Sequence, residues 1–142
     1  MANRKMLERV LPLPDPAECI RLFSHLINCQ YKWMARLQHD PAAPGMSWWD
    51  PVYAPEQLKP EWKRSLDPWL DYIAAQTEEA LHTEITFIGF DNALWAATPK
   101  DVALQLNYHS IHHRAQLQTI IRQQGVEPDF IDYIGTKYRK LS

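Results

Sequence analysis

The sequence has no apolar run approaching a membrane span, no basic excess, two cysteines and four glycines. Several of these shortages remove a class of protein. A spanning helix needs about 20 predominantly apolar residues, so no membrane association is expected. Fifteen Lys and Arg stand against 17 Asp and Glu, giving a formal charge of -2, and the basic residues are scattered among the acids. A dedicated nucleic-acid binder neutralises phosphates with a basic face, so nucleic acid is not an expected partner. The opening "MANRKMLERVLPLPDP" carries charges and an early proline pair where a signal peptide needs an apolar stretch, which predicts a cytoplasmic protein. Cys19 and Cys29 fall in one predicted helix, about 15 Å apart along its axis. A disulfide needs α-carbons within about 7 Å, so both are expected as free thiols in a reducing compartment. No internal repeat or low-complexity tract is present.

The 142 residues suffice for one domain, over 1–142, with one sizeable core. Composition is that of a soluble globular protein, 46% hydrophobic and 23% charged, with eleven prolines as punctuation. A short first helix over 2–10 ends before Pro12 and Pro14. Asp15 as cap, Pro16 at the first helical position and Glu18 at the third open a second helix that runs to about Leu37. A connection of about twenty residues follows, rich in Pro and aromatics, where Trp48 and Trp49 either line a pocket mouth or staple the loop to the helices. A third helix is expected over 60–82, kinked or restarted at Pro68 with Asp67 as a cap. "ITFIGFDNALWAA" reads as an irregular or hairpin connection. Thr98, Pro99 and Asp101 start the last long helix, and Gly125 ends it. A short turn or helix near 129–134 closes an all-α, four-helix bundle with long crossover loops.

Three of the six histidines fall within "HSIHH", residues 109–113. At about 100° per residue, His109 and His113 share a stripe with Val102, Leu106, Leu117 and Ile120, while His112 lies on the polar flank with Gln105 and Gln123. Two imidazoles one turn apart on an inward face can bind one divalent cation; they can also be core histidines hydrogen-bonded to a neighbouring helix. No Glu follows the first of the pair, which excludes a zinc-peptidase motif. Remaining ligands in a helical core come from other helices. His25 is the one histidine inside another predicted helix, on the border between apolar and charged faces. Cys29, one turn on, is a candidate ligand that also reads as a small buried hydrophobe. His39 and His82, at helix ends, read as caps or surface residues.

"HSIHHRAQLQTIIRQQGVEPDFIDYI" (109–134) resembles the C-terminal signature of the DinB/YfiT-like superfamily, whose last long helix carries His-x-x-x-His-Arg-Gly-Gln before a "GV-E-P" turn. His109, His113, Arg114, Gln116, Gly125 and Pro128 match it. In "SHLINCQYKWMARL", His25 falls on the family's first-ligand position, with Trp33 and Arg36 on its Trp-x-x-Arg pair. Ala115 departs from the family's Gly and is expected to add a methyl at a close helix contact. The resemblance implies a metal held by His25, His109 and His113, with zinc or nickel favoured by nitrogen ligands. It also implies an open fourth position and a metal-dependent transferase acting with a low-molecular-weight thiol on a small-molecule substrate. A metal-dependent hydrolase, or a non-catalytic metal-binding or stress-response bundle, is the alternative. The short first helix leaves apolar residues of the second and third without full cover, which predicts a homodimer.

Overall fold

In the computed structural model, residues 2–137 and 139 are described. Helices α1 (Ala2–Val10), α2 (Ala17–Leu37), α3 (Pro55–Ala75), α4 (Glu78–His82) and α5 (Pro99–Gln123) account for most of them. Two strands, β1 (Ile85–Ile88) and β2 (Leu94–Ala97), form an antiparallel hairpin pairing Ile85 with Ala97 and Ile88 with Leu94. A 3₁₀ turn over Tyr133–Thr136 follows. The protein is thus mostly helical with one small sheet.

Helix α2 occupies the centre, with α3, α5, β1 and the 3₁₀ turn Ala43–Gly45 packed on it. Phe23 and Ile27 from α2 meet Met6, Leu7 and Val10 from α1, Leu58 from α3, and Leu117 and Ile121 from α5 in one cluster. Each such side chain, fully removed from water, contributes about 1.5–3 kcal/mol. A second cluster joins Met34 and Leu37 to Trp69 and Val102, with Ile85 and Ala97 of the hairpin against it. On α1, Met6, Leu7 and Val10 are the buried apolar residues, and the helix packs chiefly on α5 and α3. Large exposed apolar residues include Leu70 on α3, Leu104, Tyr108 and Ile111 on α5, and Phe90, Leu94 and Trp95 in the hairpin.

Boundaries depart from expectation in two places. Helix α2 begins at Ala17, with Pro16 in the cap position and no side-chain cap; the Asp15 carboxylate accepts only from the Ala17 N–H, at 3.3 Å. Helix α3 starts at Pro55, five residues early, because Gln57 reaches back to the Ala54 N–H at 2.9 Å and Pro55 needs no donor in the first turn. It then runs through Pro60 and Pro68 to Ala75, and Asp67 pairs with Lys63 instead of capping a restart. The restart comes at Thr77, whose hydroxyl accepts from the Ala80 N–H and opens α4. Thr98 caps α5 as expected, accepting from the Asp101 N–H at 3.1 Å, and Gly125 at φ 78° ends it. That angle disfavours any residue with a Cβ. Ala115 lies on an exposed face, so its methyl meets solvent and not a neighbouring helix.

The connection between α2 and α3 is fastened along α2. Ser24 Oγ accepts from the Tyr53 N–H at 2.9 Å, and Asn28 Nδ2 donates to the Pro51 carbonyl at 3.1 Å. Lys32 donates to the Met46 carbonyl. Arg36 is buried against the rings of Trp33, Trp48 and Phe87, and donates to the Ile88 carbonyl of the hairpin at 3.1 Å. The loop therefore has a fixed position over the part of α2 that carries His25. No helix among the described residues is long and apolar enough to cross a membrane.

Candidate metal centre

Helix α2 presents His25 to α5, and α5 presents His109 and His113 back to it. His25 is buried at 6% exposure, which resolves its borderline position. The charges flanking it misled the helical wheel, because Lys32 and Arg36 are themselves buried, their charges held over aromatic rings. His25 Nε2 lies 2.8 Å from His109 Nε2, and His113 Nε2 lies 3.2 Å from the same atom. His112 is exposed, as its flank position predicts. His39, just beyond α2, and His82, beside Glu78, are also exposed and take no part.

The outer nitrogens of two of these rings are committed. His25 Nδ1 donates to the Trp48 carbonyl at 2.7 Å, and His113 Nδ1 donates to Gln116 Oε1 at 2.6 Å. Trp49 stacks on His25 with centroids 3.9 Å apart, and the Arg21 guanidinium covers Trp49 from outside. A neutral imidazole that donates through Nδ1 has only a lone pair at Nε2. His25 and His113 therefore both aim lone pairs at His109 Nε2, which carries one proton at most and can satisfy only one of them.

A proton is poorly suited to fill the gap between the rings. Burial, then repulsion from His113 and His25, lowers the His109 pKa to about 4, and burial also lowers those of His25 and His113. At neutral pH the rings stay uncharged. Nitrogens at 2.0–2.1 Å from a tetrahedral zinc stand roughly 3.3 Å apart, close to the His25–His109 and His109–His113 separations.

Cys29 adds a further donor. Its Sγ lies 3.6 Å from His25 Nε2, close to the roughly 3.6 Å expected between sulfur and nitrogen ligands of one zinc. His25, Cys29 and His109 offer ligand atoms all within 4.8 Å of one another, which makes them a group able to hold a metal ion. Cys29 thus stands in this group where the sequence led to the expectation of His113, which lies 3.2 Å from His109 but outside the group. Burial pushes the Cys29 thiol up to about 12, so it is a protonated thiol at neutral pH unless a metal displaces the proton. Cys19 is also a free, buried thiol, held in the apolar core.

A cavity of about 230 Å³ opens beside these atoms, walled by Trp33, Trp48 and Leu106 with Gln105 among its lining. Trp48 thus both fastens the loop and lines a pocket. Two supporting roles escaped the sequence reading. Gln116 could have been found, since a residue three beyond His113 shares its side of α5. The Trp48 carbonyl could not, because a backbone acceptor has no residue-type signature.

The protein is thus of the mostly helical class, with a His/Cys donor group able to hold a metal ion and two of the converging rings oriented by outer hydrogen bonds. The model of the DinB superfamily matches residues 9–117, from the end of α1 through His113, and the chain belongs to that family. No curated protein and no solved structure matches the chain.

Proposed function

We propose that this protein is a DinB-type four-helix bundle that binds one zinc or nickel ion through His25, His109 and His113 and acts as a metal-dependent transferase using a low-molecular-weight thiol. The observation that carries the reading is the surplus of lone pairs at the three converging rings, two of them fixed by Trp48 and Gln116. A metal with three imidazoles and a free position supplies Lewis acidity and lowers the pKa of a thiol or water placed there. The chain's own contribution is orientation and exclusion of water. The Trp48 carbonyl holds the His25 proton at Nδ1, Gln116 holds that of His113, and Trp49 shields the His25 ring. Trp33, Trp48 and Leu106 give the adjoining cavity apolar walls, which favour an apolar substituent on the second substrate.

The closed, non-catalytic reading rests on Cys29, which stands at ligand distance from His25. Its raised pKa weighs against it, because an incoming thiol gives up its proton at less cost than one in the core. Cobalt separates the two readings. In the open site, sulfur ligation gives an intense near-ultraviolet band only after a small thiol is added, and Cys29→Ala leaves that band intact. A band present without added thiol and abolished by Cys29→Ala supports closure, while a spectrum indifferent to every small thiol removes the transferase reading. The homodimer is proposed through the exposed stripe Leu104, Tyr108 and Ile111, and sedimentation should show Ile111→Glu as a monomer.

A further inference from the structure

One turn of α5 carries a second polar cluster that faces away from the histidines. Arg114 Nη1 donates to Ser110 Oγ at 2.8 Å and to Asn3 Oδ1 at 3.1 Å, and Asn3 Nδ2 donates to Ser110 Oγ at 3.0 Å. Asn3 and Ser110 are buried. Arg114 is half-buried and has no carboxylate partner among the described residues. A guanidinium offers five N–H donors in a planar fork, and only Nη1 is engaged here. Nε and Nη2, the edge that takes a carboxylate side-on, have no partner among the described residues. Neither is sealed from solvent, since the one buried polar atom left without a partner among the described residues is Arg36 Nε.

Arg114, Asn3 and Ser110 line a groove of about 420 Å³ between α3 and α5, within the size range of small-molecule sites. Its remaining lining is predominantly apolar, with Trp62, Leu66, Trp69, Leu70, Ile73 and Leu106 among it. Gln30, also buried, contributes there a side-chain nitrogen without a partner, its oxygen lying 2.7 Å from Ser65 Oγ. No acidic residue among the described residues lines the groove. A half-buried guanidinium beside an apolar trough suits a ligand that is negative at one end and apolar along its body.

We propose that the α3–α5 groove binds a monocarboxylate with an apolar body, its carboxylate on the Nε–Nη2 edge of Arg114 and its hydrocarbon against Trp62, Trp69 and Leu70. The site is separate from the histidine cluster and does not depend on the transferase reading. A carboxylate there replaces water on the guanidinium by a bidentate, charge-assisted pair, and the hydrocarbon covers surface that is otherwise wet.

The test is calorimetry of decanoate with the zinc-loaded, full-length protein, beside decanol and decylammonium. Decanoate should bind once per chain and at least about tenfold more tightly than either control, the loss of a charge-assisted pair being worth about 1.5–3 kcal/mol. Leu70→Glu, on the exposed groove wall, should abolish binding while zinc content stays at wild type; Arg114→Gln should weaken it by a similar factor to decanol. Nuclear Overhauser contacts from the decanoate methylenes should reach the Trp62 and Trp69 indoles. Equal binding of decanoate and decanol, wild-type binding by Leu70→Glu, or contacts only to Trp33 and Trp48 would each overturn the proposal. Should Arg114→Gln not fold, Leu70→Glu and the contacts decide alone.

Discussion

The histidine cluster and the arginine cluster sit on the same two turns of α5, one residue out of step, and they lack opposite things. His109 and His113 face α2, where lone pairs outnumber protons. Ser110 and Arg114 face α1 and the α3–α5 groove, where N–H groups outnumber acceptors. Neither shortage follows from the residue types alone. Histidine can donate or accept, and becomes a surplus acceptor here because Trp48 and Gln116 engage the outer nitrogens. Arginine is usually met by an acid, and Arg114 has Asn3 and Ser110 instead. The sign of the unmet hydrogen bonding therefore sets the charge of the partner proposed for each, a cation on one side and an anion on the other.

The largest effect that sharpens this contrast is on metal affinity. His109→Ala and His113→Ala should each weaken zinc binding more than about 100-fold in competition with a chromophoric chelator, whereas Gln116→Leu, which frees one ring, should cost about tenfold. His112→Ala should cost nearly nothing. Equal losses from His112→Ala and His113→Ala would dissolve the distinction between inward and outward rings.

The arginine side gives a smaller effect with a reversed order of severity. Asn3→Leu removes an acceptor from a half-buried guanidinium and should cost about 1–3 kcal/mol in urea unfolding. Arg114→Met removes the unpaired charge itself, lets Asn3 and Ser110 keep their bond, and should change stability by under about 1 kcal/mol. If Arg114→Met proves the more damaging, the guanidinium is compensated and the contrast fails.

The smallest effect is with pH, in metal-free protein. His109 has a folded pKa of about 4 against an unfolded value near 6.5, so the unfolded chain takes up its proton first as pH falls. The stability difference between wild type and His109→Phe should be constant above about pH 6.5. Below that, wild type should lose stability relative to the variant until about pH 4. His25 and His113, lowered in the same direction, add to the wild-type loss while leaving the difference to His109. A difference that stays flat from pH 7 to 4 would mean that His109 is not held neutral.

Much of the histidine side was legible in the sequence. Helical arithmetic separated His109 and His113 from His112, and Thr98, Pro99 and Gly125 located the ends of the helix that carries them. His25 was not decided by the same arithmetic, because Lys32 and Arg36 flank it and charged residues ordinarily mark a solvent face. Their burial depends on Trp48 from the loop and Phe87 from the hairpin, contacts distant in sequence. The start of α3 was hidden for a local reason. Its opening uses Pro55 and a Gln57 back-bond beneath a cap residue, Ala54, that has no capping side chain. Of the arginine cluster, only Arg114 was named, as a motif match. That it lacks a counter-ion is visible only once α1 supplies Asn3 and α3 supplies no acid to the groove.

Zinc-edge X-ray absorption on protein purified without a histidine tag, in thiol-free buffer, tests the central claim most directly. The account predicts one zinc per chain with three imidazole nitrogens at about 2.0–2.1 Å and a light-atom fourth ligand. Adding a small thiol should bring in one sulfur at about 2.3 Å. A sulfur shell present before any thiol is added, or a fit with fewer than three imidazoles, would contradict it.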